Sequence, residues 1–219
     1  MTSPLIDIHT HNKLIDSVLG IESFSIDKVS FYQKWPKSYS VGIHPWYIHE
    51  INVDQAIKQL TYIASDANLK AIGECGLDRA IARNFDNQYH AFMEQLKIAE
   101  KYDKPLIVHN VRAYSDFLGI LKKEKPAVPF IFHGFNANQD ILKKLIKHNV
   151  YFSVGAEIMK NNSKAQRILL HIPINRLFFE TDEWIGNIEE LYLFASKLRG
   201  IDINKLRDQI YYNYKSVFV

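Results

Sequence analysis

Short apolar runs rich in β-branched residues recur along the chain, and most are followed by a stretch with helical periodicity. The runs cover 5–9, 20–26, 39–43, 69–73, 105–109, 128–133, 150–154 and 176–180. They are continuous rather than alternating, which predicts strands buried on both faces, as in a parallel sheet. Helical stripes are predicted over 53–67, 84–102, 113–123, 138–148, 164–171, 188–198 and 204–216. The stripe over 53–67 uses Ala56, Ile57, Leu60, Ile63 and Ala64, and that over 84–102 uses Phe85, Tyr89, Phe92, Leu96 and Ala99. Strand alternating with helix implies βαβ units. Eight such units predict an α/β protein with a closed (β/α)8 TIM-type barrel, although a doubly wound open sheet has the same local pattern. Only residues 12–19 separate the first two strands, too few for a crossover helix, so the barrel is expected to be irregular in its first βα unit.

Composition narrows the class. The 219 residues fit a single domain spanning the chain, with a sizeable core. Apolar residues at 47% and charged residues at 23% are ordinary for a globular protein, and 12 Tyr with 13 Phe exclude a disordered one. A net charge of +3 neither demands nor excludes a nucleic-acid partner. The lone cysteine, Cys75, rules out an intramolecular disulfide and a Cys-type zinc site. A reducing, cytoplasmic setting is therefore expected. No basic leader with a long apolar core and no run of membrane-span length is present, so the expectation is a soluble, unprocessed protein without a membrane partner. No obligate protein partner is evident.

The chemistry lies in where polar residues fall. The first strand ends in His9-Thr10-His11, the third reaches His44, the fourth Glu74, the fifth His109, the sixth His133 and the eighth Asp182. In a parallel barrel those carboxyl ends share one face, where catalytic loops lie. His-X-His on a strand puts both imidazoles on one side, because side chains alternate with period two. Imidazoles with carboxylates suit Zn, Mn, Co or Ni. An isolated His-X-His says little; followed by Glu, His, His and Asp at successive strand ends, it points to a metal site.

Six segments carry a more specific likeness: Asp7-Ile8-His9-Thr10-His11, Val41-Gly42-Ile43-His44-Pro45, Ile72-Gly73-Glu74-Cys75-Gly76-Leu77-Asp78, Leu106-Ile107-Val108-His109, Phe132-His133-Gly134-Phe135 and Phe179-Glu180-Thr181-Asp182. In this order the chain resembles the TatD family of metal-dependent hydrolases and deoxyribonucleases, among the amidohydrolase-like barrels. Residues 213–218 resemble that family's terminal Asn-containing helix. The resemblance implies two divalent ions (Zn, Mn or Mg). His9, His11, Glu74 and Asp182 would hold one, and Glu74, His109 and His133 the other, with Glu74 shared. The His content favours transition metals over Mg, which prefers oxygen. Glu74 and Asp182 would be the catalytic carboxylates. Asp182 would act as general base toward a metal-activated water, and His44 and Arg112 would contact a substrate phosphate. The implied reaction is hydrolysis of DNA phosphodiester bonds, at ends or in single strands. Alternatives are a small phosphoester, amide or ester on the same metal site, or a non-catalytic metal-binding recognition barrel. Retention of all the ligand positions argues against the last.

The chain departs from the family around the site. It is shorter in the first βα unit and after Asp182, where Glu183-Trp184-Ile185-Gly186-Asn187 replaces a longer loop. Val111 stands where the family usually has Arg, with Arg112 one place later, and Gly134 stands where Cys is frequent. Of the remaining candidates, Asp7 reads as orienting the His pair, Asp78 as holding the Glu74 loop, and Cys75 as packed. Lys143, Lys144 and Lys147 read as a solvated helix face. Trp46 and Trp184 either stack on a base or roof the pocket. His49, His90, His148 and His171 have no assigned role.

Overall fold

The computed structural model describes residues 2–29, 34–81 and 84–219. Among the described residues eight strands occur: β1 (Leu5–Thr10), β2 (Val18–Ser25), β3 (Tyr39–Gly42), β4 (Leu69–Asp78), β5 (Leu106–Val111), β6 (Phe130–Phe132), β7 (Val150–Val154) and β8 (Leu177–Phe179). Among these residues are also seven α-helices, five between the later strands, α1 (Val53–Ile63), α2 (Phe85–Lys101), α3 (Tyr114–Glu124), α4 (Gln139–Leu145) and α5 (Lys164–Leu169), and two after β8, α6 (Ile188–Arg199) and α7 (Ile203–Phe218). Every predicted run and every predicted helix corresponds to one of these elements.

The strands are ordered β1 through β8 in a single sheet. An isolated parallel bridge between Thr10 and Asp182 brings the chain beyond β8 back beside β1. An open doubly wound sheet reverses its strand order at a switch point and leaves its edges unpaired. Sequential order with a closing bridge is the (β/α)8 TIM-type arrangement. The expected irregularity is present. Residues 11–17 form no helix, and β1 pairs directly with β2 in parallel, its register shifting between Asp7 and Thr10. Gly20 faces Asp7 in this pairing, and a Cβ there would lie 2.1 Å from the Asp7 carbonyl oxygen, so the close approach requires glycine.

The chain forms two compact units, Met1–Glu22 with Phe132–Val219, and Ser23–Ile131. In the first, all six residues of β1 are buried, as a strand covered on both faces must be. The fully buried Tyr192 of α6 accepts a hydrogen bond from the Ile6 N–H (3.1 Å) and donates one to the Ile6 carbonyl (3.0 Å). Asn213 of α7 donates to the carbonyls of Ile174 and Leu177, both at 2.9 Å, and so ties the helix to the entry of β8. The helix starts are written in the sequence as polar caps: Asn138 for α4, Ser163 for α5, Asp202 for α7, and Asn187 with Glu190 as a capping box on α6.

In the second unit, β3, β4 and β5 pair in parallel, and α2 packs on β4. Phe92 of α2 meets Phe117 of α3 edge to face at 5.1 Å. The buried stripe of α2 is rotated from the one its apolar residues predict. Gln88 and Gln95 are buried with Ala91, Phe92, Leu96, Ile98 and Ala99, while Phe85 and Tyr89 are half-buried. Phe85 instead carries the Arg79 guanidinium over its ring at 4.0 Å. The reason for the rotation lies in what the two glutamines hold, described below.

Asn213→Ala leaves two buried carbonyls without their amide donor. We expect a loss of about 1–3 kcal/mol, seen by calorimetry as a melting temperature lower by roughly 2–4 °C per kcal/mol at this chain size. An unchanged melting temperature would show that the tie does not stabilise the fold.

Candidate metal centre

In the first unit, the site is assembled where β8 ends beside β1. The Asp182 N–H donates to the His9 carbonyl (2.9 Å), and the His11 N–H donates to the Asp182 carbonyl (3.0 Å). Asp182 itself has φ +53°, a left-handed conformation that Asp tolerates better than most residues. Its Oδ1 lies 3.5 Å from His9 Nε2 and 3.5 Å from His11 Nε2. His9 is buried, whereas His11 and Asp182 are about two-fifths exposed, so one side of the group opens to solvent. The His133 ring packs at 4.6 Å from that of His9, and donor atoms of His9, His133 and Asp182 fall within 4.8 Å of one another.

Asp7 and Glu180 support this group from below. Asp7 accepts hydrogen bonds from the Thr181 N–H (3.1 Å), the Thr181 hydroxyl (2.7 Å) and the His9 N–H (3.4 Å). Burial pushes the Asp7 carboxyl up to about 7, against the pull of the Thr181 hydrogen bonds. Asp7 therefore positions the backbone carrying His9 and Asp182. Glu180 is buried, accepts from the Gly134 N–H at 2.5 Å and lies 3.6 Å from His133 Nδ1. The sequence contained Glu180 within a motif but gave it no role.

In the second unit, Glu74 is the centre. Its Oε1 lies 3.0 Å from His44 Nε2 and 2.7 Å from His109 Nδ1, and all three side chains are buried. Their donor atoms also fall within 4.8 Å of one another. β4 runs on to Asp78, four residues beyond Glu74, so both carboxylates emerge on one side of the strand. Asp78 lies 3.4 Å from His109 Nε2 and accepts from the Trp46 indole N–H (2.7 Å) and the Ala80 N–H (2.8 Å). Burial alone would raise the Asp78 carboxyl, but the hydrogen bonds from Trp46, Ala80 and His109 hold it below the usual carboxylate range. Gly76 pairs with His109, and a Cβ there would lie 1.9 Å from the His109 carbonyl oxygen. Glycine is thus required for β5 to come this close to β4.

The two buried glutamines of α2 hold the same region. Gln95 accepts from the Ile43 N–H (2.7 Å) and donates to the Ile43 carbonyl (3.3 Å), fixing the backbone just before His44. Gln88 accepts from the Asp78 N–H (2.8 Å) and donates to the Asp78 carbonyl (3.3 Å). The sequence signal was there: two polar residues seven apart on the inner face of an amphipathic helix.

The remaining candidates fall as follows. His44 caps the short turn Pro45–Tyr47 through Nδ1, which accepts from the Trp46 N–H, and also reaches Glu74. Arg112 is exposed just after β5, with φ +56°. Cys75 is fully buried, and burial pushes its thiol well up, consistent with packing. Lys143, Lys144 and Lys147 are exposed. Trp46 is half exposed, with its indole tied to Asp78. Both donor groups, imidazole nitrogens with a carboxylate at close range, have the chemistry that a divalent cation binds.

Fold and site together define a (β/α)8 barrel with imidazole–carboxylate clusters at the carboxyl ends of its strands. The chain belongs to the family of TatD-related DNases, which it matches over residues 10–219. It is 31% identical to an uncharacterized metal-dependent hydrolase of Bacillus subtilis, over 65% of this chain and 57% of that protein. It is 32% identical to the 3'-5' ssDNA/RNA exonuclease TatD of Edwardsiella piscicida, over 65% of this chain and 56% of that one. The chain thus spans well under two thirds of the length of these relatives. Its fold is that of the TatD homolog YJJV of Escherichia coli, with a TM-score of 0.84 at 21% identity, covering 98% of this chain and 97% of that one. Among the described residues no helix is long and apolar enough to cross a membrane.

Gln95→Leu removes the clamp on Ile43 while keeping side-chain bulk. We expect zinc binding to weaken about 10–100-fold in calorimetric titration, as for other groups that orient ligands. Unchanged affinity would show that the clamp does not position the His44–Glu74–His109 group.

Proposed function

We propose that this chain is a metal-dependent phosphodiesterase that acts on DNA. The observation that carries the reading is the placement of Asp182. Its carboxylate stands between His9 and His11 and is open to solvent on one side, as a base that receives a proton from water must be. Family membership supports the reading, as do relatives named metal-dependent hydrolase and ssDNA/RNA exonuclease.

His9, His11, Glu74 and Asp182 would hold one divalent ion, and Glu74, His109 and His133 a second, following the family resemblance. Zn, Mn or Mg are the candidate ions. Bound there, such ions lower the pKa of water and offset charge building on a phosphoryl oxygen. The chain's own groups do the rest. Asp182 takes the proton of the attacking water. Asp7 and Thr181 keep its backbone in place. Glu180 fixes the turn that carries His133 through the Gly134 N–H. His44 and the exposed Arg112 would meet the substrate phosphate, a guanidinium suiting that geometry.

The test uses chelator-stripped protein and end-labelled single- and double-stranded DNA, with Mg, Mn or Zn returned separately. We expect metal-dependent cleavage that Asp182→Asn reduces by about 10²–10⁴-fold, and that weakens as salt rises. Parent-like turnover by Asp182→Asn would remove Asp182 as the base. Absence of cleavage with every ion, despite bound metal, would overturn the nuclease reading in favour of a small phosphoester, amide or ester. Adding zinc to the stripped protein should also raise its melting temperature, because an ion that binds the native state alone stabilises it. No shift with any of the three ions would count against the metal site.

A further inference from the structure

The first unit contains a cleft of about 370 Å³ that none of the assigned roles uses. One wall is the short connection after β1, with Asn12, Lys13 and Ile15; the other is the short loop after Asp182, with Trp184, Ile185 and Gly186. The cleft also reaches Thr10 and Thr181. Thr10 is the bridge partner of Asp182 and Thr181 directly precedes it, so the cleft runs along the backbone that carries the proposed general base, while the Asp182 carboxylate itself lies outside the cleft lining.

Three features identify the occupant. The Trp184 indole packs against the Gly186 backbone, and a Cβ at Gly186 would lie 1.9 Å from the ring atom Cζ2. The indole is therefore seated by a residue without a side chain. Ile15 and Ile185 line the cleft yet are 60% and 90% exposed, apolar surface left open to solvent. Polar groups sit at the edge: the Asn12 amide, within 3.5 Å of the Asp182 and Trp184 carbonyls, and the exposed Lys13 ammonium. An aromatic and aliphatic slot with an amide and a cation at its rim suits a flat heterocycle attached to a phosphate. The volume is near the lower end of small-ligand pockets, roughly 300–1,000 Å³, enough for one nucleoside and too little for a run of bases.

We propose that this cleft holds a single nucleobase of the substrate strand, against Trp184, while the adjoining phosphate lies toward Asp182. The proposal rests on the nuclease reading and names the part of the substrate that this site grips. It assigns Trp184 as a specificity residue and Gly186 as the residue that seats it, and it selects for single-stranded ends, since a paired base cannot enter a slot of this size.

The test compares single-stranded oligodeoxynucleotides whose terminal nucleotide, at one end or the other, is intact or abasic. Parent protein, Trp184→Ala and Gly186→Ala are assayed with the same ion. A parallel titration of chelator-stripped parent and Trp184→Ala with a deoxynucleoside monophosphate follows tryptophan emission and needs no turnover. We expect the abasic end to raise the parent KM about tenfold, in line with the loss of one stacked base. Both variants should lose that discrimination, and the nucleotide should quench parent emission saturably but leave Trp184→Ala unchanged. Cleavage by the parent without discrimination, or discrimination retained in both variants, would overturn the proposal and leave the nuclease reading intact. If no strand is cleaved, the nuclease reading fails and the titration decides: saturable quenching through Trp184 upholds a nucleotide cleft, and its absence sinks it.

Discussion

Two backbone hydrogen bonds, from Asp182 to His9 and from His11 to Asp182, determine much of what the first unit can do. They return the chain beyond β8 to the side of β1, and in doing so set Asp182 between two imidazoles two residues apart. Because side chains alternate along a strand, His9 and His11 emerge on one side, and the left-handed turn at Asp182 aims its carboxylate between them. Asp7 makes the arrangement rigid. Burying a carboxyl group costs several kcal/mol unless it is hydrogen-bonded, and the three donors that meet Asp7 all come from Thr181 and His9. The group that burial penalises is thus satisfied only when the two strand ends are together.

The second unit reaches a similar end by different means. Glu74 accepts both His44 and His109, and three constraints hold that geometry. Gly76 allows β5 to approach, Gln95 fixes the residue before His44, and Gln88 fixes Asp78. Two of these come from one helix through side chains that satisfy both backbone groups of their targets. A buried amide can do this without charge, so it adds orientation without placing a further ionised group beside the carboxylates.

The fold was legible because strands buried on both faces leave a continuous apolar signature, and polar residues then stand out at their ends. His9, His11, His44, Glu74, His109, His133 and Asp182 stand out by that contrast, whereas their division into metal ligands and substrate contacts is what the family resemblance implies. What was not legible depended on contacts across the chain. The apolar run predicts that β4 ends at Gly73 and leaves Asp78 in a loop; in the structure β4 extends to Asp78, and the second carboxylate reaches His109. Apolar periodicity alone does not reveal Gln88 and Gln95, because it selects the half-buried Phe85 and Tyr89 for the inner stripe instead. Several helices end two or more residues before their apolar pattern does, as α4 does at Leu145. End positions are set by hydrogen bonding and caps, which periodicity does not record.

The short first connection explains how the rest is arranged. A strand in a parallel barrel needs cover on its outer face, and residues 11–17 supply no helix for it. α6 and α7 do so instead, packing on β1 from the far end of the sequence. The ties are specific: Tyr192 pairs with both backbone groups of Ile6, Arg207 donates two hydrogen bonds to the Ser3 carbonyl, and the Ser3 hydroxyl donates to Asp208. Covering β1 in this way frees the first connection from a structural duty. It can remain a short polar turn with one exposed isoleucine, and the loop after Asp182 can remain equally short. What is lost in helix is regained as an open face beside the chain that carries Asp182, where the two short segments stand opposite each other.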